Sequence, residues 1–165
     1  MLMKMVYYSQ AMIKSYVLDL IRQMYRDNFK PEYLVGITRG GLQPALMMSH
    51  YTGIEMRTLD VRLRDTTGAN REHNKLMIED ANRGRNILVL DDINDTGATF
   101  NWIHKDWNCP SYNVKYASIV DNLSSEFNDV AYNAVEINKA ENNTWIVFPW
   151  EEWWGENYLN IERNN

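Results

Sequence analysis

The chain has 165 residues, 45% apolar and 24% charged, an ordinary globular mix; a chain of this length buries roughly 70% of the surface it exposes unfolded. Seventeen Lys and Arg against 22 Asp and Glu give a net charge of −5, which argues against a binder of nucleic-acid backbone but not against a small anion held by local N–H groups and a cation. There is no apolar run long enough for a membrane span, no secretory pattern in the first ten residues and one lone cysteine, Cys109, so no membrane partner and a reducing, cytoplasmic setting are expected.

Ser9 followed by Ile13, Val17, Leu20, Ile21 and Met24 reads as an N-cap and the apolar stripe of a first helix ending near Asn28, ahead of Pro31. Tyr33–Ile37 is a short apolar run, hence a buried strand, broken by Thr38-Arg39-Gly40-Gly41 before a helix over Leu42–Tyr51. Glu55–Leu63 alternates like a strand, and Arg64–Asn74 is polar and aperiodic, hence a flexible loop. Asn86–Leu90 is the clearest buried strand; Asp91–Gly97 reads as a turn and Ala98–Trp107 as a helix. Strands follow at Val114–Val120, Val130–Ile137 and Thr144–Phe148, and Pro149 suits the first turn of a final helix carrying Trp150, Trp153 and Trp154. The alternation predicts an α/β fold over residues 1–165 as a single domain, with a mostly parallel central sheet flanked by helices.

The most informative stretch is Leu88-Val-Leu-Asp-Asp-Ile-Asn-Asp-Thr-Gly-Ala-Thr-Phe100. An aliphatic strand ends in Asp91 and Asp92, then passes through Asp95, Thr96, Gly97, Ala98 and Thr99 into a helix. A helix start has unpaired N–H groups and partial positive charge, which suits a phosphate, while Thr96 and Thr99 add hydroxyls. Asp91 and Asp92, adjacent on a strand, should point to opposite faces unless the turn has already begun. Carboxylates beside a phosphate repel it unless hydroxyls or Mg²⁺ intervene. The plainer alternative is a solvated turn with Asp95 or Thr96 as helix N-cap.

This stretch resembles the phosphoribosyl-pyrophosphate (PRPP) signature of the type I phosphoribosyltransferases. Val35-Gly-Ile-Thr-Arg-Gly-Gly-Leu-Gln-Pro-Ala45 resembles that family's pyrophosphate loop, and Thr144-Trp-Ile-Val-Phe-Pro-Trp-Glu151 the base-binding end of its xanthine–guanine and hypoxanthine members. The resemblance implies a small base-binding hood formed by residues 121–151 and a flexible loop at 64–74, where Arg64 and Arg71 are candidate pyrophosphate contacts. It implies Asp91 and Asp92 at the ribose hydroxyls with Asp92 also near Mg²⁺, and Asp95 as the catalytic proton acceptor at purine N7. Residues Asp95 to Thr99 would wrap the 5′-phosphate. Thr38, Arg39 and Gly40 would line the pyrophosphate site, with a cis peptide at Arg39-Gly40. Trp145 would stack on the base and the backbone of Ile146 would read its edge. Where relatives carry a lysine for the 6-oxo group this chain has Asn122, and neither Lys115 nor Lys139 has a geometric claim to replace it. The implied reaction is transfer of phosphoribose from PRPP to a purine-like base, with Mg²⁺ as cofactor, small-molecule substrates, no nucleic acid, and a dimer or tetramer of like chains. A PRPP-sensing regulator on the same fold is the alternative.

Overall fold

Ser9 caps the first helix as its spacing predicts: its Oγ accepts a hydrogen bond from the Met12 N–H at 3.2 Å. The computed structural model describes residues 3–61, 71–108 and 112–151. In chain order they form β1 (Lys4–Tyr7), α1 (Gln10–Arg26), β2 (Tyr33–Thr38), α2 (Leu42–Thr52), β3 (Glu55–Asp60), α3 (Arg71–Asn82), β4 (Ile87–Asn94), α4 (Ala98–Trp107), β5 (Val114–Asn122), β6 (Val130–Ile137) and β7 (Thr144–Val147). Among the described residues no helix is long and apolar enough to cross a membrane.

Five strands make one sheet in the order β3-β2-β4-β5-β6, each neighbouring pair parallel. A parallel sheet covered on both faces needs strands that are apolar throughout, and β2 and β4 supply them. Leu34, Leu88, Leu90, Ala117 and Ile119 face the stripe of α1 and Ala45 and Met48 of α2. Val35, Ile37, Ile87 and Val89 face Met77 and Ala81 of α3 and Phe100, Ile103 and Trp107 of α4. The chain steps from β2 outward to β3, then returns across β2 to add β4 on its other side. That reversal opens a crevice at the carboxyl ends of β2 and β4, where ligands of such sheets bind.

Three elements differ from the sequence reading. Arg71–Asn74, expected within a loop, begins α3. Its buried stripe is thin because Asn74 occupies a core position, donating to Asp106 and accepting from the Trp107 indole at 2.6 Å each, while Leu76 stands exposed. Asp91–Asn94, expected in a turn, extends β4, because Asp91, Ile93 and Asn94 pair with Ser118, Val120 and Asp121 of β5. The four-residue β1, mostly exposed, has no pattern of its own and is held by parallel pairing with β7 in a second, two-stranded sheet. Residues 62–70, including the Arg64 contact and the rest of the expected loop, lie outside the described residues, as do Trp153 and Trp154; Pro149 to Glu151 form a turn.

Candidate active site

The aliphatic run of β4 ends in Asp91 and Asp92 at the crevice. Although adjacent on the strand, the two carboxyl groups remain within interaction distance of each other. Asp91 lines a small concavity with Asn94 and the turn from Asp95 to Phe100. Asp92 lies against the β2–α2 loop, so closely that a Cβ on Gly40 would sit 2.0 Å from its Oδ2. Each carboxylate accepts the next residue's N–H, Asp92 N–H to Asp91 at 2.9 Å and Ile93 N–H to Asp92 at 2.8 Å. Burial pushes the Asp91 carboxyl well above the usual carboxylate range, and the charge of Asp92 pushes it further. Burial also raises Asp92, with Glu151 adding to the rise and the Trp150 indole opposing it. No described basic side chain forms an ion pair with either acid.

This has a measurable consequence for stability. A carboxyl raised on folding binds a proton that the unfolded chain has already released, so stability falls as pH rises from the unfolded value of 3.8 through the raised one. Asp91→Asn keeps the acceptor for the Asp92 N–H and removes the repulsion. In thermal melts without metal or ligand at pH 7.5, it should raise Tm by about 2–4 °C per kcal/mol recovered. The rise should shrink toward pH 4. An unchanged or lower Tm would show that the pair carries no electrostatic cost.

The turn after β4 is built around Gly97, the N-cap of α4, at φ 87°. No side chain caps this helix; the only local help is Thr96 Oγ1, which accepts from Ala98 N–H at 3.3 Å. Neither Asp95 nor Thr96 is therefore the N-cap residue, and the N–H groups of the first turn face the concavity that Asp91 and Thr99 line. Behind the turn runs the chain returning from β5 to β6. The Asn94 amide donates to Asp121 (2.8 Å) and to the Phe127 carbonyl (3.0 Å), and Glu126 N–H donates to the Thr96 carbonyl at 3.0 Å. Gly97 is thus required by packing behind the turn as well as by any approach from the front.

The opposing loop holds Thr38, Arg39 and Gly40 at the carboxyl end of β2. Its cis peptide falls at Thr38-Arg39, one bond before the expected Arg39-Gly40. Thr38 Oγ1 donates to Asp60 at 3.2 Å, Arg39 is exposed, and Gly41 packs where a Cβ would be 2.3 Å from the Leu90 carbonyl.

Trp145, 49% exposed, stands on β7. The N–H groups of Lys4 and Tyr8 donate to the carbonyls of Asn143 and Val147, so the odd-numbered residues of this segment turn toward β1. Alternation then aims the N–H and carbonyl of Ile146 at the opposite edge. Asn122, expected to meet a base, is buried and committed elsewhere. Its amide N–H donates to the Asp95 carbonyl at 2.8 Å, and its oxygen accepts from Ser124 N–H and Oγ and from Lys139 N–H. It ties the β4–α4 turn to the ends of β5 and β6 and has no oxygen acceptor to spare.

Sequence reasoning left the two lysines equal; the structure separates them. Lys115 pairs with Asp27 over the Phe29 ring, away from the crevice. Lys139 reaches the Asp95 carboxylate at 2.9 Å and lies 5.5 Å from the centre of the Trp145 ring. Only a contact between residues 44 apart in sequence distinguishes them, so no local motif points to Lys139. Trp150, expected to pack, does stack on Phe148 at 4.9 Å, yet its indole also influences Asp92.

A parallel sheet with acids and an uncapped helix start at its switch point defines the α/β proteins that bind their ligands at the strand ends. The family model described as phosphoribosyl transferase domain matches residues 7–156, and the chain belongs to that family, in its type I group near the xanthine–guanine and hypoxanthine enzymes. It is 29% identical over 140 residues to a xanthine-guanine phosphoribosyltransferase of Cereibacter sphaeroides, covering 76% of this chain and 72% of that one. In fold it resembles a purine phosphoribosyltransferase from Pyrococcus horikoshii Ot3, with a TM-score of 0.68 at 22% identity over 93% and 97% of the two chains. It resembles equally the Helicobacter pylori xanthine-guanine-hypoxanthine phosphoribosyltransferase, with a TM-score of 0.67 at 20% identity over 90% and 94%.

Proposed function

We propose that this chain transfers the phosphoribosyl group of PRPP to a purine-like base, releasing pyrophosphate and forming a nucleoside monophosphate, as a purine-salvage enzyme of the cytoplasm. The observation that carries the reading is the pair Asp91 and Asp92, set between the uncapped start of α4 and the Gly40 loop. The turn from Asp95 to Thr99 would take the 5′-phosphate, the two acids the ribose hydroxyls, and Thr38, Arg39 and Gly40 the pyrophosphate. Positive charge developing on the ribose ring as the C1′–O bond breaks would be stabilised by these two half-buried carboxylates.

The donor set also fits Mg²⁺. Two half-buried acids with no described cation partner are relieved by a divalent ion, and Mg²⁺ is commonly held by one or two carboxylates together with substrate oxygens. No cluster of three or more protein ligands exists among the described residues, so protein and substrate would share the ion, with Asp92 its main protein ligand. When bound, it supplies charge that neutralises the departing pyrophosphate.

The test is pyrophosphate release from PRPP and Mg²⁺ with guanine, xanthine, hypoxanthine or adenine supplied singly. Release should depend on at least one of these bases. PRPP binding with no turnover on any of them would replace the enzyme by a sensor.

A further inference from the structure

Resting on the reading above, we propose that Asn122 is a positioning residue that holds the sugar-phosphate half of the site in register with the base half. The first half is the β4–α4 turn; the second begins at the β6–β7 connection that leads to Trp145. Asn122 ends β5 and is buried, at 5% exposure. Its amide N–H donates to the Asp95 carbonyl at 2.8 Å, and its oxygen accepts from Lys139 N–H at 3.0 Å and from Ser124 Oγ at 2.9 Å. One side chain thus bonds the peptide groups of two segments 44 residues apart.

Among the described residues two hydrogen-bonded bridges join these segments, Asn122 and the Lys139–Asp95 ion pair. The ion pair joins side chains that are 21% and 40% exposed, so water screens it and its long arms give. Asn122 holds peptide groups out of water, where an unmade hydrogen bond is costly. Asn122 is therefore the bridge that fixes the distance. The β4–α4 turn keeps its own shape without it. The Asn94 amide donates to Asp121 and to the Phe127 carbonyl, and Glu126 N–H donates to the Thr96 carbonyl, so three other bonds anchor the turn. What Asn122 adds is the register between the two halves. A reacting nitrogen must stand about 3–3.5 Å from C1′, and a misplacement of about 1 Å costs on the order of 10²-fold in rate.

A nucleoside monophosphate uses both halves and ribose 5-phosphate one, so calorimetric titration of the two measures the register. The wild type should bind the tightest of inosine, guanosine, xanthosine and adenosine monophosphates better than ribose 5-phosphate. Asn122→Leu loses both ends of the bridge; Asn122→Asp keeps the acceptor, loses the donor, and carries the test alone if Asn122→Leu does not fold. In both, the nucleotide's advantage should shrink by about tenfold or more and kcat at saturating PRPP and base should fall about 10- to 100-fold, with ribose 5-phosphate affinity held within about threefold. Asn113→Leu is the control. Asn113 is fully buried just before β5, its amide donating to the Ala81 and Arg85 carbonyls, and its loss should lower Tm without moving either ratio or kcat. An unchanged advantage in the Asn122 variants, an equal change in Asn113→Leu, or ribose 5-phosphate weakened as much as the nucleotide overturns the inference and leaves the transferase reading intact. A wild type that binds nucleotide but turns over none of the four bases overturns the transferase reading, and the binding ratio alone then decides the role of Asn122. A wild type that binds neither ligand overturns both.

Discussion

Asp95→Asn should lower kcat by about 10²-fold or more while leaving the KM for PRPP close to that of the wild type. The carboxylate touches Lys139, whose ammonium lies 5.5 Å from the centre of the Trp145 ring, whereas the backbone of the same residue belongs to the β4–α4 turn. Asn122 binds the Asp95 carbonyl, not its side chain, so an isosteric amide leaves the turn tethered. What the substitution removes is an acceptor for the base's ring proton. Asparagine can still accept a hydrogen bond from N7–H but cannot take its proton, so the base binds and the attack of N9 stalls. It also leaves the Lys139 ammonium without its charge partner. Burst and steady-state measurements with a 6-oxopurine separate the step. A kcat unchanged within about threefold would reduce Asp95 to a support for Lys139, and the general-base range of 10² to 10⁴ would be absent.

How far the sequence leads depends on whether the signal is local. The strand–turn–helix from Ile87 to Trp107 was legible because four aliphatics, paired acids and a Thr-Gly turn all lie within a short window. The mostly parallel central sheet follows from strand–helix alternation as far as β5, whereas β6 joins it without an intervening helix and β7 leaves it to pair with β1. α3 was hidden because a polar residue, Asn74, fills a core position of its stripe and Leu76 is exposed, so the apolar period is broken. β1 was hidden because its stability comes wholly from a strand 140 residues later. The Asn122–Asp95–Lys139 network was out of reach for the same reason: an asparagine reads as a ligand or as a scaffold equally well until its partners are known. At Gly97, the contact that demands a glycine comes from behind the turn, from Phe127, 30 residues further along the chain.

Gly97→Ala should be the most destabilising single methyl addition at this turn, costing about 2–5 kcal/mol when left-handed strain of roughly 1–2 and overpacking of roughly 1–3 are combined. The backbone sits at φ 87°, and a Cβ there would lie 2.5 Å from the Phe127 nitrogen and 2.7 Å from Ser125 Oγ. Neither neighbour can step aside cheaply. Phe127 is buried against Phe100 and Tyr116 with ring centres 5.4 and 4.9 Å away, and Ser125 Oγ donates to Asn94 at 3.1 Å while accepting from Phe127 N–H at 3.1 Å. Displacing them shifts the return segment and, through Glu126 and Thr96, the N–H groups of the β4–α4 turn. Gly53→Ala is the matched control, since Gly53 has φ 75° but nothing within 4 Å of its would-be Cβ. It should cost the backbone share alone, about 1–2 kcal/mol. Urea denaturation of both variants, with ribose 5-phosphate titrations on the folded fraction, separates strain from packing. Gly97→Ala should unfold at clearly lower urea than Gly53→Ala and bind the sugar phosphate at least about tenfold more weakly, a gap of roughly 1.4 kcal/mol. Equal midpoints for the two variants would mean that the return segment yields to the added methyl, and that the turn owes its shape to φ alone.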